Sequence, residues 1–244
     1  MRPNKFLTKL TVAVSCMLLF AACNSGEKTE SETTTIDTMA SKMESTTPPV
    51  AKVDSNLLVI QYKVTNFANW KTGYEANDSM RLAHGLHNYV IGRGMDDSNM
   101  VVVALNMDDV NKAKEFSASP LLKERMKKAG VSKPTFNYLH YVVTDDSKIE
   151  QTVRVRINHK VKDWDAFKTE FDKHKQARID AGLVDRRVGH SFDDNHMVSI
   201  VLAITDMKKA KDFMASKDLK DKMAAAGVEG APDIFFFDVV QRFQ

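Results

Sequence analysis

The chain has 244 residues, with 35 Lys and Arg against 32 Asp and Glu and a formal charge of +3. Three of the basic residues, Arg2, Lys5 and Lys9, and no acidic ones lie in the first 22, so the remainder is near neutral, which argues against an electrostatic nucleic-acid binder. Only two Cys are present, at positions 16 and 23, so the body of the chain has no disulfide framework and must rely on its cores.

The N-terminal 22 residues read as a processing signal. A short basic region precedes Thr11–Ala22, which is nearly all apolar or small. That run is shorter than the roughly 20 apolar residues a membrane-spanning helix needs. It ends in Leu19-Phe20-Ala21-Ala22-Cys23 and so resembles a bacterial lipoprotein signal, which is cut before a Cys that then carries lipid. A plain secretory signal is the alternative, and the polar stretch directly after Cys23 favours the lipid. The resemblance implies lipidation at Cys23 and attachment to a lipid bilayer in the bacterial cell envelope, at the outer membrane, facing the periplasm or the surface. Residues 23–56 are dense in Ser, Thr and Glu, with Pro48-Pro49 near the end. Such a segment cannot offset its ordering entropy by burial and is expected to be a disordered tether.

The rest of the chain is one unit written twice. Displaced by 97 positions, Val64–Val131 aligns without a gap on Val161–Val228, with 25 of 68 pairs identical. The repeat predicts two halves, 57–146 and 147–244, each long enough for a single core. In the first strand of half 1, Leu58, Ile60, Tyr62 and Val64 alternate with Val59, Gln61 and Lys63. In half 2, Val153, Val155, Ile157, His159 and Val161 alternate with Arg154, Arg156 and Asn158. Period two of this kind is a half-buried strand. A helix follows, capped by Asn66 or Asp163 and ended by Gly85 or Gly182. Phe67, Trp70 and Tyr74, or Trp164, Phe167 and Phe171, form its apolar stripe. Next comes a hairpin of Val90–Met95 and Met100–Met107, turning at Asp96-Asp97 and, in half 2, at Asp193-Asp194. These paired acids suit a tight turn without any ion. Gly92 and Gly94 mark a bulge. A two-part helix starts at Asp108 or Thr205 and breaks at Ser119-Pro120. The last strand is Phe136–Val143 or Ile234–Val240.

The predicted fold class is α+β: two tandem ferredoxin-like β-α-β-β-α-β domains, each an antiparallel sheet with helices on one face. The bare face of each sheet needs cover, and the other half can supply it. With its element order, the Phe171–Gly182 stretch, the Asp-Asp hairpin and the helix-ending Ala-Gly-Val, the chain resembles the dimeric α/β-barrel superfamily, which includes the antibiotic-biosynthesis-monooxygenase-like and stress-responsive barrel families. The resemblance covers 57–143 and 152–242 and implies an intrachain dimeric α/β barrel. Two separately solvated domains are the alternative. The superfamily spans cofactor-free oxygenases, haem-handling enzymes, isomerases and proteins of no known reaction, so it implies no single activity.

It does imply a ligand space between sheet and helices in each half. In half 2, His159, His174 and Arg178 are the catalytic candidates, able to converge on an anionic or phenolic substrate, and histidine titrates where it can move a proton. The competing reading is a core-edge histidine and a solvent-facing one. Half 1 breaks the pattern, with Tyr62 and Asn77 at the two histidine positions, and offers Tyr62 and Arg81 as ligand-binding candidates. His84 and His87 flank Gly85 and are expected to diverge, while His190 and His196 bracket the second hairpin. No metal-ligand spacing, phosphate loop or Ser nucleophile motif occurs, so no metal and no cofactor is expected. Arg154 and Arg156 fall on the sheet face turned toward the other half, where they need partners or a small anion. The functions this supports are non-catalytic binding of a small hydrophobic or aromatic molecule or of an envelope protein partner, with cofactor-independent monooxygenase chemistry in half 2 as the alternative and a purely structural membrane role as a third.

Overall fold

The computed structural model describes residues 54–243. The signal segment, Cys23 and all but the end of the tether lie outside the described residues. Half 1 runs β1 (Ser55–Val64), α1 (Phe67–Glu75), α2 (Asp78–Leu82), β2 (Leu86–Gly94), β3 (Met100–Met107), α3 (Val110–Ala118), α4 (Pro120–Lys128) and β4 (Val131–Thr144). Half 2 repeats it as β5 (Val153–Val161), α5 (Trp164–Lys173), α6 (Lys175–Asp180), β6 (Leu183–Ser191), β7 (Met197–Ile204), α7 (Met207–Ala215), α8 (Lys217–Ala225) and β8 (Val228–Arg242). Strand β1 begins at Ser55, inside the segment expected to be tether.

The sheets close into one barrel in the order β1-β3-β2-β8-β5-β7-β6-β4, every pair antiparallel. Two seams join the halves. Strand β2 takes β8 and strand β6 takes β4. Strands β4 and β8 outrun their predicted bounds mostly at their N-terminal ends, where Val131 and Ser132 still pair with β1, and Val228 and Glu229 with β5; their C-terminal ends pair with the other half. Closure removes all sheet edges.

Alternation along the strands then sorts three cores. In β1, Leu58, Ile60, Tyr62 and Val64 face the half 1 helices, while Leu57 and Val59 face the barrel interior with Val102, Tyr141 and Phe237. The half 2 helices cover Val155, Val161, Val198, Ile200 and Leu202. Arg154 and Arg156 are buried on the interior side, joined there by Arg186 and Arg187 from β6.

The first helix of each half is two pieces, not one. It breaks at Asn77 and at His174, whose backbones leave helical geometry. Asn66 and Asp163 cap α1 and α5. The caps of α3 and α7 are Asp109 and Asp206, one residue later than predicted, because their carboxylates reach the free N–H groups of the first turn. Ser119 caps α4 ahead of Pro120. The acidic pairs belong to their turns: Asp97 accepts from the Asn99 N–H at 2.9 Å and Asp194 from the His196 N–H at 3.0 Å. Their carboxyls are held below the ordinary range, in Asp97 first by Lys63 and in Asp194 first by the His196 backbone N–H.

Glycines matter most at the seams. Gly92 and Gly189 are repeat equivalents, and each sits beside a register shift in its seam. A Cβ on Gly92 would run into the Phe237 ring and approach Val102 Cγ1 to 2.9 Å. A Cβ on Gly189 would fall on the His140 carbonyl and within 2.6 Å of Tyr141 Cα. The predicted bulge is therefore present, and close approach across the seam is the stronger reason for the glycine. No described helix is long and apolar enough to cross a membrane.

Candidate functional site

The half 2 helices do not fill the space over their sheet. A cavity of about 90 Å³ remains, lined by the sheet residues Ile157, His159, Ile200 and Leu202 and, from the helices, by Phe167, Phe171, His174, Phe213, Met214 and Met223 among others. Repeat patterning predicts the floor. It misses the roof from α7 and α8, although Leu219 and Met223, four apart on α8, carry the helical period that would have found it.

His159 is the polar centre of this apolar space. Strand alternation points it at the helices, where its ring meets Phe167 edge-on at 5.1 Å. It is 5% exposed, and both ring nitrogens lack a hydrogen-bond partner. Burial pulls its pKa from 6.5 down to about 4, so it is neutral at pH 7. A neutral imidazole holds one donor and one acceptor, and here both are unused.

His174 lines the same cavity from the break between α5 and α6, with Nδ1 2.7 Å from the Glu170 carbonyl oxygen. Arg178 lines it too, but its guanidinium is committed. Nε and Nη2 each donate to Asp185 at 2.7 Å, Nη1 donates to the Phe171 carbonyl at 2.6 Å, and the group stacks 3.5 Å from the Phe171 ring centroid. The three candidates share one space. Convergence on an anion does not follow, because Arg178 is spent on holding the broken helix to β6.

Half 1 shows the same frame with bulkier rings at two of the lining positions. Arg81 donates to the Tyr74 carbonyl at 2.8 Å and to Asp78 at 3.0 Å, and lies over the Tyr74 ring, matching Arg178. Tyr62 replaces His159 and Trp70 replaces Phe167, their rings 5.8 Å apart. Burial raises the Tyr62 pKa well above its ordinary value, so its hydroxyl stays protonated. Asn77, in the place of His174, bridges the Gly73 carbonyl and Arg125. About 60 Å³ is left there.

The remaining histidines stand elsewhere. His84 meets the Met80 carbonyl and His87 meets Asp108, so they diverge as expected. His190 does not reach His196, which pairs with Asp194. It stands 5.5 Å from His140 across the β4–β6 seam and 4.8 Å from Trp164. Only the barrel closure brings His140 and His190 together, so the sequence carries no signal for that pair. Among the described residues no three metal-ligating side chains converge.

No protein-family model matches the sequence, and no curated protein matches it. Solved structures do match in fold. An anthrone oxidase-like protein superposes with a TM-score of 0.54 at 13% identity, over 77% of this chain and 92% of its own. A candidate chlorite dismutase gives 0.52 at 15%, over 78% and 96%. A candidate monooxygenase from Fusobacterium nucleatum gives 0.50 at 12%, over 78% and 93%. What this chain shares with them is the fold, a closed α/β barrel, here built from two tandem halves of one chain.

Proposed function

We propose that this dimeric α/β barrel binds a small aromatic molecule bearing a hydroxyl or carbonyl group in the half 2 cavity. One observation carries the reading: a buried His159 with both ring nitrogens unpartnered inside an otherwise apolar space. An unpaired buried polar group costs about 1–3 kcal/mol. A ligand hydroxyl would repay that cost at the moment of binding, while the surrounding Phe, Met and Leu side chains take up its ring. Half 1 keeps a smaller equivalent space, of about 60 Å³, with Tyr62 in place of the unpartnered imidazole, so the reading places the site in half 2.

Binding fits the geometry better than proton abstraction. A general base works best with a pKa near the working pH, and burial has moved His159 well below that. The cofactor-independent oxygenase alternative would need a substrate that restores basicity to this imidazole. The anthrone oxidase-like and monooxygenase neighbours support the barrel as a frame for aromatic ligands, at the level of fold.

The test compares 4-ethylphenol with ethylbenzene by calorimetry. The phenol should bind about tenfold more tightly, the scale of one hydrogen bond gained in a dry site. His159→Leu should erase that preference while keeping the affinity for ethylbenzene. Equal affinity of the two compounds for the unmodified protein would remove the reading.

We further propose that the protein is held at the cell envelope through lipid on Cys23, with the tether setting the barrel's distance from the bilayer. The support is the basic, apolar and small-residue order ending at that Cys. Cells fed labelled palmitate should label the protein, and Cys23→Ala should abolish the label; label persisting in that variant would place the anchor elsewhere.

A further inference from the structure

A second cavity, of about 60 Å³, lies inside the barrel, away from the helices. Its two walls differ in kind. Half 2 supplies Arg154, Arg156, Arg186 and Arg187, each no more than 5% exposed. At the repeat-equivalent positions, 97 residues earlier, half 1 supplies Leu57, Val59, Tyr89 and Val90 to the same cavity. The fold therefore works with neutral side chains at all four places. Both copies use the same device to aim two adjacent residues inward. A register shift between Asn88 and Val90, and its twin between Asp185 and Arg187, breaks the alternation that would send neighbours to opposite faces.

Buried guanidinium groups are costly unless paired, so their partners decide what they are for. Two of the four are satisfied by the segment linking the halves. Arg186 donates to Asp145 at 2.9 Å and to the Ser147 carbonyl at 2.6 Å. Arg187 donates to Asp146 at 3.0 Å, and also to Thr144 and Ser55. The other two retain unused donors. Arg156 reaches Gln61 and, at 3.3 Å, Asp233, but its Nε and Nη1 are buried with no partner. Arg154 donates only to the Gln151 and Val153 carbonyls, through one nitrogen. None of the described carboxylates forms an ion pair with it; Asp238 acts on it only from a distance and, by alternation from Phe237, belongs to the opposite face of β8. Burial, with Arg186 and Arg242 nearby, pulls the Arg154 pKa down to about 10, which still leaves it charged at neutral pH.

The cavity also has a way in. A cleft of about 680 Å³ under the linking segment shares Tyr89, Arg154, Val239 and Arg242 with it. Besides the four arginines and Tyr141, the walls include Val59, Val102, Val201, Phe237 and Val239. A bare inorganic anion would leave those walls unused, and a neutral hydrocarbon would leave the guanidinium donors unpaired.

We propose that the barrel interior is a binding site for a small carboxylate with a hydrocarbon body, its carboxylate on Arg154 and its apolar part against the half 1 wall. The site is separate from the helix-side cavity and does not depend on it.

Benzoate, benzyl alcohol and inorganic phosphate are the probes, titrated calorimetrically into the full chain. Benzoate should bind at least about tenfold more tightly than either of the others, as expected for a charge-assisted, bidentate contact in a dry site. Arg154→Leu, which places in half 2 the side chain half 1 already tolerates, should weaken benzoate at least about tenfold. Arg154→Lys, which keeps the charge but loses the fork, should fall between and covers the case in which the leucine variant fails to fold. His159→Leu should leave benzoate unchanged. Phosphate binding as tightly as benzoate, benzoate indifferent to both Arg154 variants, benzoate lost with His159→Leu, or no benzoate heat at all would each overturn the proposal.

Discussion

Arg178→Ala is expected to destabilise the protein by about 3–5 kcal/mol, the usual cost of removing one partner from a buried ion pair. The substitution strips the two 2.7 Å bonds to Asp185 and leaves that carboxylate, largely buried, without its cation. It also frees the Phe171 carbonyl at the end of α5 and the face of the Phe171 ring. Much of the loss is the stranded charge. Arg178→Met combined with Asp185→Leu should therefore recover much of it. Urea unfolding of the two variants makes the comparison. A single variant within about 1 kcal/mol of the parent would show that the pair is no more than an exposed surface bridge.

Gly189→Ala should be nearly as damaging, by about 3 kcal/mol or more, and for a purely steric reason. The new methyl would overlap the main chain of β4 at His140 and Tyr141, and backbone cannot swing aside as a flexible side chain can. The β4–β6 seam must separate or slide. Gly230→Ala is the control: it has positive φ but nothing within 4 Å of the added atom, so it should cost only about 1 kcal/mol. Thermal unfolding distinguishes them. If both shift Tm by the same small amount, the seam is looser than its geometry implies.

Much of the fold was legible because duplication wrote each rule twice. Period-two strands, capping acids and terminal glycines stand at matching positions, so a weak signal in one half is supported by the other. The break in the first helix accompanies a bond from the next piece's arginine back to the carbonyl seven residues earlier, Arg178 to Phe171 and Arg81 to Tyr74, and no local propensity marks it. The overlong β4 and β8 run through Ser132-Lys133-Pro134 and Glu229-Gly230-Ala231-Pro232, whose Pro and polar residues read as turn, yet the strands there still follow β1 and β5. The candidate site was legible to the same depth. Alternation placed His159 toward the helices, and helical spacing put His174 and Arg178 beside it. That Arg178 would be consumed by Asp185 was hidden, since six intervening residues and a turn lie between them. Arg154 and Arg156 stood out as charges on a face that should be covered, whereas Arg186 and Arg187 needed the bulge to bring both inward.

The contrast between a narrower half 1 and a roomier half 2 has a consequence for how such a barrel diversifies. In a symmetric homodimer every substitution is made in both subunits, so enlarging one chamber enlarges its twin, and a residue that plugs one plugs both. Joining the copies in a single polypeptide lifts that restriction. Tyr62 and Trp70 can narrow one lobe while its sibling keeps more room around His159, and arginines can accumulate along one wall without facing their own duplicates across the axis.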